Sequence, residues 1–230
     1  MTFEHDFFEF QELETKTING KRHYHVDGEY FPSVTTVLSG ESKPALEAWR
    51  KRVGEEKAQM ITTAASNRGT GMHELLETYV LNGDMPAAMK KAMPSHIDLF
   101  MQIKPLLDKH AGKIYAIEAP LFSKKLGIAG RVDFIADWQG KPAIIDFKSS
   151  IKPKNPKYMK GYFMQEALYS FMMNEMTGFF IPRLVTLVAH ETENSAQVFE
   201  ERARNWIDPA LELVGKFYEQ AAAAPQEMIK

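Results

Sequence analysis

The chain has 230 residues, with 28 Lys and Arg against 30 Asp and Glu, a formal net charge of −2 and no cysteine. The length suits one large domain or two small ones, and the composition, 44% hydrophobic and 25% charged, is ordinary for a soluble globular protein. The lack of cysteine excludes disulfides, a thiol nucleophile and an iron–sulfur cluster held by the chain itself. The near-zero net charge argues against a whole surface that coats nucleic acid, but it allows a local basic channel.

The first 20 residues are acidic and aromatic. Five acids precede the first lysine, Lys16, which is the opposite of a secretory or transit peptide. Apolar runs fall short of the ~18 residues of a transmembrane helix. We therefore predict an acidic N-terminal arm over residues 1–20, a single domain over residues 21–230, no membrane association and a cytoplasmic location.

The next part of the chain is predicted to be a hairpin followed by helices. Asp27-Gly28 lies between two short β-rich runs and supplies the positive φ angles of a tight turn, and Ser33 is a candidate N-cap for a short helix. Residues 44–65 predict a helix with Leu46, Trp49, Val53, Met60 and Ile61 on one stripe. Glycines at 69 and 71 predict a break, with a second helix starting near Met72 and a third over residues 95–110.

The hydrophobic period then changes to that of strands. Strands are predicted over residues 114–118, 129–137 and 143–148, the last two joined by a turn at Gln139-Gly140. A helix over 161–176, strands over 183–190 and 196–200 and a helix over 203–222 complete the chain. This order predicts one α/β domain with a central mixed β-sheet flanked by helices and an N-terminal helical part.

Two carboxylates and a lysine converge on the predicted hairpin at 129–148. Asp133 and Asp146 are expected to lie near each other across the strand pair, and Lys148 shares a strand face with Asp146. Such a group can hold a divalent metal ion for hydrolysis of a phosphodiester. The alternative is a solvated ion pair on the surface, but both acids lie in strongly apolar strands, where an unpaired charge is costly.

These residues resemble the core of a known family. Gly130-Arg131-Val132-Asp133 followed by Ile145-Asp146-Phe147-Lys148 is similar to the PD-(D/E)XK nucleases, in their RecB-like exonuclease branch. Four further segments resemble motifs of that branch in the same order: Ser33–Leu38, Leu46–Trp49, Arg68–His73 and Gln165–Tyr169. Within the branch the likeness is to mitochondrial genome maintenance exonucleases and to phage-encoded exonucleases. The resemblance implies a restriction-endonuclease-like (PD-(D/E)XK) fold.

The resemblance also implies roles for individual residues. It implies that Mg²⁺ or Mn²⁺ is held by His73, Asp133, Asp146 and the Phe147 carbonyl, with Lys148 as the catalytic lysine and no iron–sulfur cluster. Glu118 is a candidate for a second metal or for support of a ligand, and a solvated strand-end Glu is the alternative. The resemblance suggests that Gln165 contacts the substrate or Lys148 and that Tyr169 lies at the scissile strand; a core aromatic is the alternative for Tyr169.

Two segments are candidates for DNA binding. Arg68 and Thr70 precede the predicted second helix, where free N–H groups at a helix start would bind a phosphate. No acid lies between Asp146 and Glu166, and the basic residues there are interleaved with aromatic ones, as in single-strand binding. The candidates in this stretch are Lys152, Lys154, Lys157, Tyr158 and Lys160. A solvated lysine loop is the alternative.

The expected function is that of a metal-dependent deoxyribonuclease. The resemblance indicates an exonuclease that acts on single-stranded DNA or DNA ends in recombination, repair or DNA processing. A structure-specific or restriction-like endonuclease and a non-catalytic DNA-binding module are the alternatives. DNA is the expected partner, together with phage or host recombination or replication proteins in a bacterial or phage-infected cell.

Overall fold

The structure is a computed structural model that describes residues 2–40 and 43–223. The N-terminal part contains three strands and five helices: β1 (Thr15–Ile18), β2 (Lys21–Val26), β3 (Glu29–Pro32), α1 (Val34–Leu38), α2 (Lys43–Val53), α3 (Glu55–Val80), α4 (Met85–Lys91) and α5 (Pro94–His110). The C-terminal part contains five strands and two helices: β4 (Ala111–Ser123), β5 (Ile128–Trp138), β6 (Lys141–Ser150), α6 (Lys160–Thr177), β7 (Arg183–His190), β8 (Gln197–Arg202) and α7 (Ile207–Ala223). Within the described ranges, the helices are too short or too polar to span a membrane.

A five-stranded mixed sheet in the order β4-β5-β6-β7-β8 forms the centre of the molecule. β4, β5 and β6 are antiparallel, β6 pairs in parallel with β7 through the crossover helix α6, and β8 returns antiparallel to β7. Gln139 and Gly140 both have positive φ angles, 53° and 76°, and make the predicted tight turn between β5 and β6. The predicted restriction-endonuclease-like fold, with a central mixed sheet flanked by helices, is confirmed.

Both faces of the sheet are covered, because successive residues of a strand point to opposite sides. On one face Ile144 and Leu184 pack with residues of α1, α6 and α7. On the other face Ile145 and Val185 pack with residues of α3 and α5. The strands β6 and β7 are therefore apolar on both sides, as is usual for buried parallel strands, and a charged residue among them needs a partner.

The acidic N-terminal residues pack along the main sheet. The Asp6 and Phe8 N–H groups donate to the carbonyls of Ile114 and Tyr115, at 2.8 and 3.0 Å, so the chain runs beside β4. Residues 15–18 then form β1, which pairs with β2 in a three-stranded sheet. The hairpin of β2 and β3 turns at Asp27-Gly28, and Ser33 caps α1 by accepting from the Thr36 N–H, both as predicted.

Two helix predictions are wrong. The chain bends at Gly54, whose φ of 87° favours glycine, so residues 44–65 belong to two helices rather than one. The predicted break at residues 67–71 is part of α3, which runs through it without interruption. The predicted stripe is also only partly covered: Leu46, Met60 and Ile61 are exposed, and Trp49 and Val53 are half-buried.

Candidate active site

The site opens where β5 and β6 separate. Their register runs from Trp138↔Lys141 to Phe134↔Ile145, so Asp133 and Asp146 follow as the next facing pair. At that point the Asp133 carboxylate, through Oδ2, accepts the Phe147 N–H at 2.9 Å. The Asp133 side chain thus accepts a strand N–H in place of a backbone carbonyl. This hydrogen bond holds Asp133 at the edge of the opening.

Three metal-ligating side chains converge beside this opening. His73 from α3, Glu118 from β4 and Asp133 from β5 each offer a ligand atom, and these atoms all lie within 4.8 Å of one another. His73 Nδ1 lies 3.6 Å from Glu118 Oε1 and 3.9 Å from Asp133 Oδ2. Glu118 has a φ of 45° inside a strand, and such strained backbone is often found at functional sites. We call these three residues the open cluster.

His73 is oriented by a second contact. Its Nε2 lies 2.9 Å from the Phe147 carbonyl oxygen, which can only accept, so Nε2 carries the hydrogen and Nδ1 faces the carboxylates. Burial lowers the pKa of His73, but the contact with Glu118 and the charge of Asp133 outweigh it and raise the pKa to about 9. The Phe147 carbonyl, predicted from the resemblance to be a metal ligand, is here the acceptor that fixes the imidazole.

Asp146 and Lys148 form an ion pair next to the open cluster. Asp146 is 2% exposed, and its Oδ2 contacts Lys148 Nζ, which also lies 5.3 Å from the centre of the Tyr162 ring. Burial raises the pKa of the Asp146 carboxyl to about 6, although the Lys148 charge opposes the shift. Burial lowers the pKa of Lys148, but the Asp146 and Asp133 charges outweigh it and raise the pKa above its usual value, so Lys148 remains an ammonium ion.

Glu166 lies beneath this pair and was missed by the sequence analysis. It is fully buried on α6, and its Oε1 accepts from the Thr186 hydroxyl, on the β7 residue that pairs with Asp146. Burial, reinforced by the charge of Asp146, raises the pKa of Glu166 well above its usual value. The signal in the sequence was an acid on a helix face that is otherwise apolar. Asp146, Lys148 and Glu166 together are called the buried cluster below.

Gln165 and Tyr169 lie on one face of α6, as their spacing predicts. Gln165 Nε2 donates to the Tyr169 hydroxyl at 3.4 Å. Tyr169 is 3% exposed, and its ring covers Gly130, where an added Cβ would come within 2.8 Å of the ring. This close approach explains why a glycine begins the segment that carries Asp133, and it links the two motifs physically.

Arg68 and Thr70 lie in the middle of α3, so the predicted helix start that was to bind a phosphate does not exist. Arg68 is instead 12% exposed, donates to Ser149 Oγ at 3.4 Å and pairs with Glu191 at 3.1 Å. The contact with Ser149 connects α3 to the end of β6. Thr70 is exposed and borders a pocket that His73 and Glu118 also line.

The lysine-rich stretch lies on the surface after β6. Lys152, Lys157, Tyr158 and Lys160 are exposed, Tyr158 at 78%, and Lys154 is half-buried. The Lys154 backbone is held by Gln197 of β8, whose amide accepts the Lys154 N–H at 2.6 Å and donates to its carbonyl at 3.1 Å. The backbone of this segment is therefore fixed to the sheet while most of its side chains are free, and its DNA-binding role stays a prediction.

The open cluster has the chemistry of a divalent metal site. Two carboxylates and an imidazole nitrogen combine hard oxygen donors with one borderline nitrogen donor, which suits a divalent ion. The ligand role predicted for Asp146 stays a prediction, since its carboxylate faces Lys148. His73, Glu118 and Asp133 are the groups that meet, so Glu118 belongs to the primary set of candidates rather than to a supporting one.

Curated proteins similar to this chain are mitochondrial genome maintenance exonucleases 1. The human protein is 27% identical over 161 residues, covering 64% of this chain and 45% of that protein. The mouse protein is 26% identical over 162 residues (62% and 47%), and the Xenopus tropicalis protein is 28% identical over 138 residues (56% and 39%). The chain thus spans less than half the length of these relatives. No protein-family model matches the chain.

Two solved structures are also similar to this chain. A proposed exonuclease from Eubacterium rectale has a TM-score of 0.46 at 15% identity, covering 66% of this chain and 65% of that one. The protein SSO0001 has a TM-score of 0.49 at 15% identity, covering 86% and 80%. The curated sequence matches are all to proteins named as exonucleases, and they support an exonuclease-like nuclease family for this chain.

Proposed function

We propose that the protein is a divalent-metal-dependent DNA exonuclease of the RecB-like branch, with the open cluster as its metal site. The observation that carries this proposal is the convergence of His73, Glu118 and Asp133 within 4.8 Å, beside a lysine that is held as a cation. The exonuclease names of the curated relatives support the same activity. A bound Mg²⁺ or Mn²⁺ would supply Lewis acidity and an activated water for hydrolysis of a phosphodiester.

The side chains around the cluster then have separate tasks. Glu118 and Asp133 are anionic oxygen donors, and His73 contributes Nδ1 once it has lost its proton, with Nε2 bonded to the Phe147 carbonyl. Lys148 stays an ammonium ion, so it orients water or stabilises negative charge on the phosphate rather than acting as a base. Asp146 keeps that ammonium in place through their ion pair.

Single-stranded DNA or DNA ends are the proposed substrate. The support is the exposed lysine and tyrosine side chains that follow Lys148, since lysines follow a phosphate backbone and aromatic faces stack on bases. We also propose that the protein acts in recombination, repair or DNA processing in a bacterial or phage-infected cell. Recombination or replication proteins would be its partners.

Degradation of end-labelled linear and of circular single-stranded DNA, with Mn²⁺, Mg²⁺ or EDTA, tests this function. We expect mononucleotides or short products from the linear strand, an intact circle, and no reaction in EDTA. Cleavage of the circle would favour the endonuclease alternative. Binding without cleavage under all metal conditions, with Asp133→Asn behaving like the wild type, would favour the non-catalytic module.

A further inference from the structure

Arg131 lies at the wall of the open cluster and is held by the acidic N-terminal segment. It occupies the position two residues before Asp133 on β5, and it lines the same pocket as His73 and Glu118. Its Nη1 donates to the Glu118 carbonyl oxygen. Its other partner is the Glu12 carboxylate, which it contacts in a bidentate manner, with Nη1–Oε1 at 3.4 Å and Nη2–Oε2 at 2.5 Å.

The pair of Arg131 and Glu12 has the properties of an exchangeable contact. The Glu12 side chain is 74% exposed and the Arg131 side chain 32%, and an ion pair this exposed contributes little to stability. The backbone around Glu12 is anchored independently of this pair, through the Phe8 N–H on Tyr115 and the Glu14 carbonyl, which accepts from His25. Glu12 can therefore leave Arg131 by turning its side chain alone.

The surroundings of Arg131 are rich in carboxylates. Glu77 and Glu118 line both the pocket of the open cluster and the adjoining groove beside Glu12. A phosphodiester that enters this pocket meets repulsion from the acids, and a guanidinium binds phosphate through the same bidentate geometry that Glu12 now uses. Two positions along a strand span about 6.8 Å, a length comparable to the spacing of successive phosphates in an extended DNA strand.

We propose that Arg131 binds the DNA phosphate next to the one cleaved, and that Glu12 occupies this phosphate site in the DNA-free protein. Arg131 is then a substrate-positioning residue, and Glu12 is its internal competitor. The inference rests on the proposed nuclease function, because it assumes that the open cluster is where the scissile phosphate binds.

Binding of a fluorescent single-stranded oligonucleotide in EDTA is the first test, since it separates binding from cleavage. We expect Arg131→Gln to weaken binding about tenfold and to reduce the slope of log K against log salt by about 0.7, the value for one lost phosphate contact. Glu12→Gln should tighten binding about two- to fivefold at low salt. This gain should disappear in the Arg131→Gln background, because the competitor acts only through Arg131.

Lys113 offers a matched control. It pairs with Glu4 at 3.5 Å and with Asp6 at 3.4 Å, so it too joins the main sheet to the acidic N-terminal segment, but away from the cluster. Lys113→Gln and Asp6→Asn should leave oligonucleotide affinity within twofold of the wild type. If these controls shift affinity as much as Arg131→Gln and Glu12→Gln do, the effect is one of overall charge and the proposal is wrong.

A DNA strand with one neutral methylphosphonate linkage tests which phosphate Arg131 binds. Placed next to the scissile linkage, it should raise KM of the wild type about tenfold and should have little further effect on Arg131→Gln. Because Arg131 also contacts the Glu118 backbone, Mn²⁺ affinity of Arg131→Gln is measured by calorimetry. If that affinity changes, Glu12→Gln, which leaves the Glu118 contact in place, decides the question.

The outcomes separate this inference from the proposed function. A wild type that cleaves DNA, with Arg131→Gln and Glu12→Gln both unchanged in affinity and KM, overturns the role of Arg131 alone. A wild type that neither binds nor cleaves DNA overturns the proposed function and this inference with it.

Discussion

The two neighbouring charged clusters on either side of the Phe147 backbone differ in what surrounds them. The open cluster keeps 28% exposure at the His73 side chain, 30% at Glu118 and 13% at Asp133. In the buried cluster the Asp146 side chain is 3% exposed and Glu166 is fully buried, while the Lys148 side chain keeps 22% exposure. Solvent therefore reaches all three side chains of the open cluster, whereas the two carboxyl groups of the buried cluster depend on partners within the protein. The groups suited to hold a metal ion are thus separate, within one site, from the carboxyl groups that are buried beside Lys148.

Removal of an open-cluster carboxylate should have the largest effect. Asp133→Asn removes a ligand charge and weakens the acceptor of the Phe147 N–H, so we expect DNA hydrolysis to fall by about 1,000-fold or more, about 4 kcal/mol in transition-state free energy. Initial rates at saturating Mn²⁺ measure this. Asp137→Asn, the same change on the same strand at a residue that accepts from Tyr115, is the control and should keep wild-type activity. Similar rates for the two variants would contradict the metal-site assignment.

Removal of the half-buried Lys148 cation should cost stability as well as activity. Lys148→Met leaves the Asp146 carboxylate buried without its partner, and we expect the free energy of unfolding in urea to fall by about 3–5 kcal/mol. Lys104→Met breaks the pair with Asp108, where Lys104 is 32% exposed, and should cost about 1 kcal/mol or less.

The double variant Asp146→Asn with Lys148→Met tests whether the unpaired Asp146 carboxylate causes this loss of stability. Because it removes both charges, it should recover much of the stability lost in Lys148→Met while remaining inactive. A double variant no more stable than Lys148→Met would show that the ion pair is not the reason for the loss.

In the metal-free protein, His73 of the open cluster should make the free energy of unfolding depend on pH. The folded-state pKa of His73, about 9, lies above the ordinary value of 6.5. Its contribution to stability is therefore fully present below pH 6.5 and is lost as the pH rises to 9, amounting to at most about 3 kcal/mol and reduced by solvent screening. Urea unfolding in EDTA across this range measures the decline.

His73→Asn should remove this decline, and His23→Asn provides the control. The His23 ring contacts the Lys21 backbone carbonyl rather than a carboxylate, so the decline assigned to His73 should remain in this variant. An equal slope in wild type and His73→Asn would mean that His73 carries no extra proton in the fold.

The smallest effect is expected at Glu166. Since burial raises the pKa of Glu166 and favours the neutral carboxyl, the isosteric Glu166→Gln should change the free energy of unfolding by less than about 1 kcal/mol. Glu175→Gln is the contrasting variant, because its carboxylate accepts from the Ser123 hydroxyl and from backbone N–H groups of Lys124 and Lys125. That variant should cost about 1–2 kcal/mol in thermal or urea unfolding. A larger loss at Glu166 would show that it is ionised.

Much of the fold could be predicted from local patterns. The turns at Asp27-Gly28 and Gln139-Gly140, the Ser33 cap and the alternation of β5 and β6 are governed by residues close together in the chain, and the structure has them as predicted. The missed bend at Gly54 and the false break at residues 67–71 have one cause. A glycine is compatible both with helix and with positive φ, and only the packing around it selects between them.

Local patterns in the sequence show which charged residues lie in apolar strands, and therefore that Asp133, Asp146 and Lys148 need partners. The identity of those partners depends on the folded chain, because folding brings together residues that are far apart in the sequence. His73 meets Glu118 and Asp133 across α3, β4 and β5, whereas Asp146 faces Lys148 above Glu166. The reason is physical: the separation of β5 from β6 at Asp133 and the strained backbone at Glu118 arise from how whole strands pair and pack, and no local pattern encodes them.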